Sequence, residues 1–593
     1  MGSTEQIGQS KGRRLDSWKA IAQYLDRDVR SVQRWERERG LPVYRLPGQK
    51  GGAVFAYESE LEHWLRSGQK ELSTSTDSEA QIPDSSASTP LQPSAQILPA
   101  ARARARTIGV AIAVIAILLA AIAVLRWNLK SLRPYPSSAR AIAVLPMQNL
   151  SGDAAQDYFA DGFTEELVTE LAQVRSLRVI SRTSTMLYKG SKKPLPEIAR
   201  ELQVNLILEG SVVRDRQRVR VTAQLIDALN DTHLWARTYD ADVKDVLDIQ
   251  SQISRAIAED VRLDLSPEEK ARLASIPTVD PEAHDLYLKA SYQFAQQTAN
   301  SIRQSLVLYQ AAAAKDPSFA MAYVGIAQAE AALLQITAET PDESLRHERD
   351  ALAKALTIDP HLGDAHGMLA SLAYYRDWDW PRAEREFQLA LAEGARAPTE
   401  QRYGVALSTR GRFEEGTAHL QSALELDPLG RSPRVGQFFG SYLQRKYAEG
   451  RHEMEELLSS NPDFMTGHLL LGLAAMMQHD CAEAAAQAEW TQKHFPSPVA
   501  EFEPALASSC SGDVPSARRH LEAAAASKGP AFASPYQIAL GYAFIHDNET
   551  ALSYLQKSAE LREPQVLYIK TDPVFDEIRS DPRFVALEKK VGL

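Results

Sequence analysis

Two cysteines in 593 residues, Cys481 and Cys510, cannot build a disulfide framework. Nor do two thiolates alone make a zinc site. The thirteen histidines are scattered, without an HExxH or other paired-ligand spacing, so the sequence offers nothing for metal chemistry and implies no cofactor. No GxxxxGK[ST] run is available to cradle a phosphate, and no nucleophile–base pair or cyclase signature is visible, so the chain reads as a non-enzyme. Positive charge is also short overall, at a net charge of -11, yet it is not evenly missing. Residues 1–70 hold thirteen Lys and Arg against nine Asp and Glu, which leaves the remainder strongly acidic. A basic end on an acidic body implies different partners for the two.

What is present begins with "RSVQRWERERG", residues 30–40, with four arginines. On a helix, at about 100° per residue, Arg30, Arg34 and Arg37 fall on one side while Val32 and Trp35 point to the other. Before it, "LDSWKAIAQYL" (15–25) offers Asp16 or Ser17 as a cap for a helix with Trp18, Ile21, Ala22 and Leu25 on one face. After it, "LPVYRLPGQKGGAVFAY" (41–57) reads as a hairpin with a glycine-rich tip, and "ESELEHWL" (58–65) as a closing helix.

Helix, turn, helix, hairpin, helix resembles the small α+β winged helix-turn-helix modules of the MerR and excisionase type, through "SWKAIAQYL", "VRSVQRWE" and "GLPVYRL". That resemblance implies double-stranded DNA as partner, contacted by Arg30, Ser31, Gln33, Arg34 and Arg37 on the second helix and by Lys50 on the wing. Arg and Gln pair with base edges and the others hold phosphates. Trp18 and Trp35 are placed in the module's core rather than against bases.

Residues 71–106, Ser/Thr/Pro-rich and ending in "ARARAR", read as a disordered linker with a basic end. "TIGVAIAVIAILLAAIAVL" (107–125) has no charge in nineteen residues, about the ~30 Å needed to cross a bilayer, and is expected to be a transmembrane helix. Arginines flank it on both sides, so charge bias does not orient it. DNA on the amino-terminal side then gives a single-pass inner-membrane protein, amino terminus cytoplasmic and carboxyl-terminal region periplasmic.

Residues 139–265 alternate strand-like and helical stretches in an α/β unit. "IAVLPMQNLSGDAAQDYFADGFTEELVTEL", "LRVISRTSTM", "ILEGSVVRDRQRVRVTAQLID" and "HLWARTYD" carry a resemblance to the TolB-like domain. Asp153, Asp157 and Asp161 fall on four-residue steps, a spacing open to cation ligands but read here as helix-start acids. Beyond residue 280, Pro360, Pro428, Pro462, Pro496 and Pro530 lie 68, 34, 34 and 34 residues apart, several after endings such as "ALELDP". A sustained 34-residue period is the mark of a helical-hairpin solenoid. Residues 280–565 resemble tetratricopeptide repeats, with Gly411, Gly416 and Ala418 at small-residue positions. "YYRDWDWPRAEREF" (374–387) departs by its bulky turn, packing between repeats or bordering a peptide groove, and "TDPVFDEIRSDPRF" (571–584) looks like a terminal cap within 280–593. The array implies a protein or peptide partner. Cys481 and Cys510 fall near successive corners; a disulfide is sterically allowed, and two buried thiols are the plainer reading.

The combined expectation is a membrane-anchored one-component transcription regulator, able to act as a homodimer on paired half-sites. The alternatives are an envelope interaction scaffold without DNA binding, and a receptor coupled to a separate catalytic chain.

Overall fold

The computed structural model describes residues 14–64 in part, and residues 140–593 apart from 229, 262, 264, 275–277, 337–340, 395, 496–500 and 528–532. The chain divides into two compact units, Met1–Ile122 and Ala123–Leu593.

In the first unit, β1 (Arg14–Leu15), α1 (Trp18–Tyr24), α2 (Val29–Arg39), β2 (Tyr44–Arg45) and β3 (Val54–Tyr57) follow in order. Ser17 starts α1 by accepting the Ala20 N–H at 3.1 Å, which meets one of the donors a helix start leaves open. The strands form an antiparallel sheet in the order β1-β3-β2. Ile21, Val32, Ala56 and Leu61 are fully buried at its centre, with Trp18, Trp35 and Trp64 packed around them.

One expectation is overturned. Among the described residues no helix is long and apolar enough to cross a membrane. A span needs about 20 continuous apolar residues, whereas the longest described helix, Pro341–Ile358, carries seven charged side chains between Asp342 and Lys354. The fold class with one transmembrane helix, and the single-pass inner-membrane placement with a periplasmic carboxyl-terminal region, are therefore withdrawn in favour of a mostly helical architecture of paired helices. The segment 107–125, the linker 71–106 and Lys50 lie outside the described residues.

The second unit opens with an α/β module. Its strands are β4 (Arg140–Val144), β5 (Gln148–Asn149), β6 (Leu177–Val179), β7 (Leu206–Asp215), β8 (Arg218–Asp227) and β9 (Thr232–Asp242). Its helices are α3 (Asp157–Leu171), α4 (Arg182–Thr185), α5 (Leu195–Leu202), α6 (Val246–Asp260) and α7 (Pro267–Ala274). The main sheet runs β6-β4-β7-β8-β9; β4 is parallel to both neighbours, and β7 to β9 form an antiparallel meander. Period-two alternation splits β4. Ile142 and Val144 face α3 and α6 with Phe159, Phe163, Ile253 and Ile257, while Ala141 and Ala143 face α5 with Ile198 and Leu202.

Among the described residues eight helical pairs follow. They are α8 (Pro281–Phe294) with α9 (Ala299–Lys315), α10 (Ala320–Ile336) with α11 (Pro341–Ile358), α12 (Gly363–Leu372) with α13 (Trp380–Ala392), and α14 (Ala397–Thr409) with α15 (Phe413–Leu426). Then come α16 (Arg431–Leu443) with α17 (Tyr447–Ser460), α18 (Met465–Met477) with α19 (Cys481–His494), α20 (Phe502–Cys510) with α21 (Val514–Ala526), and α22 (Pro535–Phe544) with α23 (Asn548–Glu560). First helices begin at 363, 397, 431 and 465, steps of 34 residues. Pro360, Pro428 and Pro462 sit just past α11, α15 and α17, where a missing N–H is harmless. Gly416 lets α15 approach α14, since a Cβ there would lie 2.8 Å from the Gly404 carbonyl oxygen; Gly411, at φ +82°, makes the turn between the two. Cys481 and Cys510 are joined in a disulfide linking α19 to α20, so the reading as two buried thiols does not hold.

The chain ends in short helical turns at Pro564–Tyr568 and Pro573–Ile578 and in α24 (Pro582–Lys590).

Candidate binding surfaces

The array offers two chemically distinct surfaces. One is the edge where each second helix turns into the next first helix. Successive turns near residues 393 and 427 meet the α/β module through polar contacts aimed at backbone. Ser184 Oγ donates to Asp427 Oδ1 at 2.6 Å and accepts the Leu429 N–H at 2.9 Å. The Ser181 N–H donates to the Leu426 carbonyl at 2.7 Å, Arg178 to that of Glu425 at 2.7 Å, and Arg175 to that of Ala392 at 2.8 Å. These carbonyls end helices and lack intrahelical partners, so guanidinium and serine groups supply them. Burial pushes the Asp427 carboxyl up, against the Ser184 and Ser181 bonds that favour its charged form.

Between the module and this edge lies a cavity of about 570 Å³, lined by Glu165, Glu166 and Glu170 of α3, Gln250 of α6, His284 of α8, and Glu393 after α13. His284 meets Glu166 at 2.6 Å and Ser254 donates to Glu170 at 2.9 Å. Burial raises the carboxyls of Glu165 and Glu170. Burial alone would lower His284, but the charge and hydrogen bond of Glu166 outweigh it and the net shift is upward. Every carboxylate named here except Glu165 holds a hydrogen-bonding partner, and Glu165 has Arg182 at 3.6 Å.

The second surface is the layer of first helices, which touch one another along the array. Against it lies the chain's own end. Asp572 is 3% exposed, and both its oxygens are met: Tyr442 of α16 donates to Oδ1 at 2.9 Å and Tyr536 of α22 to Oδ2 at 2.8 Å. Burial raises the Asp572 carboxyl against these two bonds and the Val574 N–H. Phe575 and Phe584 are fully buried in one cluster with Tyr374, Tyr403, Leu407 and Tyr536. Arg445 pairs with Asp576 at 2.6 Å, and Arg410 donates to the Gly592 carbonyl at 3.0 Å. The end segment thus ties the eighth pair to the third, fourth and fifth. The bulky turn at 374–380 is part of this surface: Tyr374 is buried, and Arg562 lies 4.8 Å over the Trp378 ring.

The residues expected to read DNA sit in the first unit. Arg30 and Arg34 are exposed on α2, one turn apart, while Val32 points into the core. Ser31 and Gln33 are partly exposed, Arg37 lies in the last turns of α2, and Lys50 is not described. Arg30 and Arg34 fall one turn apart on the same helix, and the wing tip at 46–53 lies outside the described residues. The acidic steps serve the fold instead. Asp153 accepts the Ala155 N–H, Asp157 accepts from Asn149, and buried Asp161 takes Lys189 Nζ at 2.7 Å on both oxygens. Among the described residues no group of three or more His, Cys, Asp or Glu is placed to hold a metal. Sequence reasoning missed Asp427 and the Tyr442–Asp572–Tyr536 contact; the one available signal was the repeated Asp-Pro-x-Phe at 572–575 and 581–584.

No family model matches the chain. A curated relative, "Putative adenylate cyclase 3" of Rhizobium meliloti (strain 1021), is 39% identical over 186 residues, 31% of this chain and 32% of that protein. The chain spans about a third of that relative's length, and the activity in its name is that protein's own. Similar solved structures include PilW, a type IV pilus biogenesis factor (16% identity, 36% of this chain and 94% of that one, TM-score 0.31). A tetratricopeptide repeat protein from Parabacteroides merdae ATCC 43184 (15%, 47% and 100%, TM-score 0.30) and yeast Tom70 (13%, 59% and 82%, TM-score 0.33) are also similar. At such scores they carry no weight for function. The tetratricopeptide-like character of the array rests on its own paired helices and 34-residue step.

Proposed function

We propose that this chain is a protein-interaction scaffold. The array of helical pairs carries the reading, because stacked repeats create an extended surface of the kind that binds other chains. The α/β module is mounted on its turn edge and extends that surface. The partner is a protein or peptide. Photo-cross-linking the intact chain in its cells, followed by calorimetry of the purified chain with the captured protein, should give one saturable complex. A chain that forms no saturable complex with any captured protein sinks the proposal.

A second reading has its own support: the exposed Arg30 and Arg34 on a helix whose other side is locked in the core by Val32. In it, the first unit contacts double-stranded DNA through Arg30, Ser31, Gln33, Arg34, Arg37 and Lys50. Affinity of the full chain for a duplex should fall linearly on a log–log plot against salt, and Arg30→Ala with Arg34→Ala should flatten that slope. Absence of duplex binding at low salt removes this reading.

A further inference from the structure

We propose that the layer of first helices is a receptor for segments of the form acid–Pro–x–aromatic, and that residues 564–593 are its resident occupant, which a partner of the same chemistry displaces. This rests on the scaffold reading and gives it a partner class.

The tail is built as a ligand would be. Its two Asp-Pro-x-Phe units, Asp572 to Phe575 and Asp581 to Phe584, fold alike. Each Asp caps its own turn, Asp572 taking the Val574 N–H at 3.1 Å and Asp581 the Arg583 N–H at 2.8 Å. Each proline then starts the turn, and each phenylalanine, two residues after the proline, is fully buried. The units sit nine residues apart, so the surface carries two aromatic sockets at a set distance. Beside the first, two tyrosines from first helices six elements apart in sequence order, Tyr442 of α16 and Tyr536 of α22, converge on one carboxylate. Without an acceptor at that point both hydroxyls would be buried unmet, and a carboxylate meets the two at once with its two oxygens. At the rim Arg445 takes Asp576, Arg410 takes the Gly592 carbonyl, and Arg562 reaches the Arg376 carbonyl at 2.8 Å.

A second observation marks the tail as a replaceable occupant. The indole Nε1 of Trp378 is buried and meets no acceptor. Trp378 packs against the cluster that holds the tail's Phe575 and Phe584, Arg562 just before the tail stacks on its ring, and a Cβ on Gly592 would stand 3.3 Å from its backbone oxygen. A buried donor left unmet is a standing penalty of the self-bound state. A segment with the same acid and aromatics, and an acceptor at this point, outcompetes the tail.

The test uses the full chain with a specific protease site inserted after Leu561, which is exposed, and a labelled synthetic peptide of residues 563–593. The uncut chain should not take up the peptide. After cleavage, excess peptide should exchange into the chain with its helical signal intact, and a peptide carrying Asp572→Ala and Phe575→Ala should bind at least about tenfold more weakly. Unfolding on cleavage, absence of exchange, or equal uptake by cut and uncut chain would each overturn the proposal. Because only this chain and its own peptide are used, such a failure leaves the scaffold reading to its separate cross-linking test.

Discussion

Along its turn edge the array grips the α/β module through polar groups aimed at helix-end carbonyls, whereas across its first helices it grips residues 564–593 mainly through buried side chains. The edge contacts are spread thinly: Ser181, Ser184, Arg175 and Arg178 each make one or two bonds. The tail contacts are buried side chains, Phe575 and Phe584 together with Val566, Ile569, Ile578 and Leu587, around one carboxylate. A repeated fold therefore presents two surfaces of unlike chemistry. Turns recur at fixed spacing and suit a broad, polar docking, while the stacked first helices form an apolar trough suited to a narrow chain with anchor residues.

The contrast is broken most directly at an anchor. Phe575→Ala should cost about 3–5 kcal/mol in denaturant unfolding of the second unit, with faster hydrogen exchange in 564–593 and little change at 181–185. Next, replacing Cys481 by Ser removes a 29-residue loop constraint on a joint that belongs to neither grip, and should cost about 2–4 kcal/mol by the same measurement. Asp427→Ala leaves Ser184 without its acceptor and should cost about 1–3 kcal/mol, now with exchange rising at 181–185 and not in the tail. If both regions open together in either of the two grip variants, the grips are one cooperative structure and the comparison fails.

Finer still is a pH effect on the module's side. His284 has its pKa raised in the folded chain, so its pairing with Glu166 stabilises fully below the unfolded value of 6.5 and is lost as pH rises through the folded value. The Tm should therefore decline on going upward through that window, and His284→Gln should flatten the decline. The smallest effect is expected from Arg445→Ala, an exposed pair with Asp576, at below about 1 kcal/mol.

Local periodicity carried the legible part. The prolines and small residues repeating at 34 marked the pairs, because each pair packs only on its neighbours and leaves its imprint in nearby sequence. Apolar alternation likewise marked "RVRVTAQLID" as a strand, which is β8. The surfaces were not legible for the opposite reason. Tyr442 and Asp572 are 130 residues apart and Ser184 and Asp427 are 243 apart, so no window of sequence relates them. "TDPVFDEIRSDPRF" read as a terminal cap, with no sign of the helices that receive it. The two cysteines left a disulfide open, since a separation of 29 residues fits both a bridge and two separate thiols. The uncharged run at 107–125 led to a placement that no described helix supports.

The covalent tie between α19 and α20 has a mechanical meaning. A stack of helical pairs behaves as a coiled spring whose pitch is set by the small rotation at every joint. Fastening one joint stiffens that stretch of the coil, so twisting or stretching is taken up by its unfastened neighbours. The Asp572 clasp runs from α16 to α22 and encloses the fastened joint, so the disulfide limits how far tension along the coil can move apart the two tyrosines that hold it.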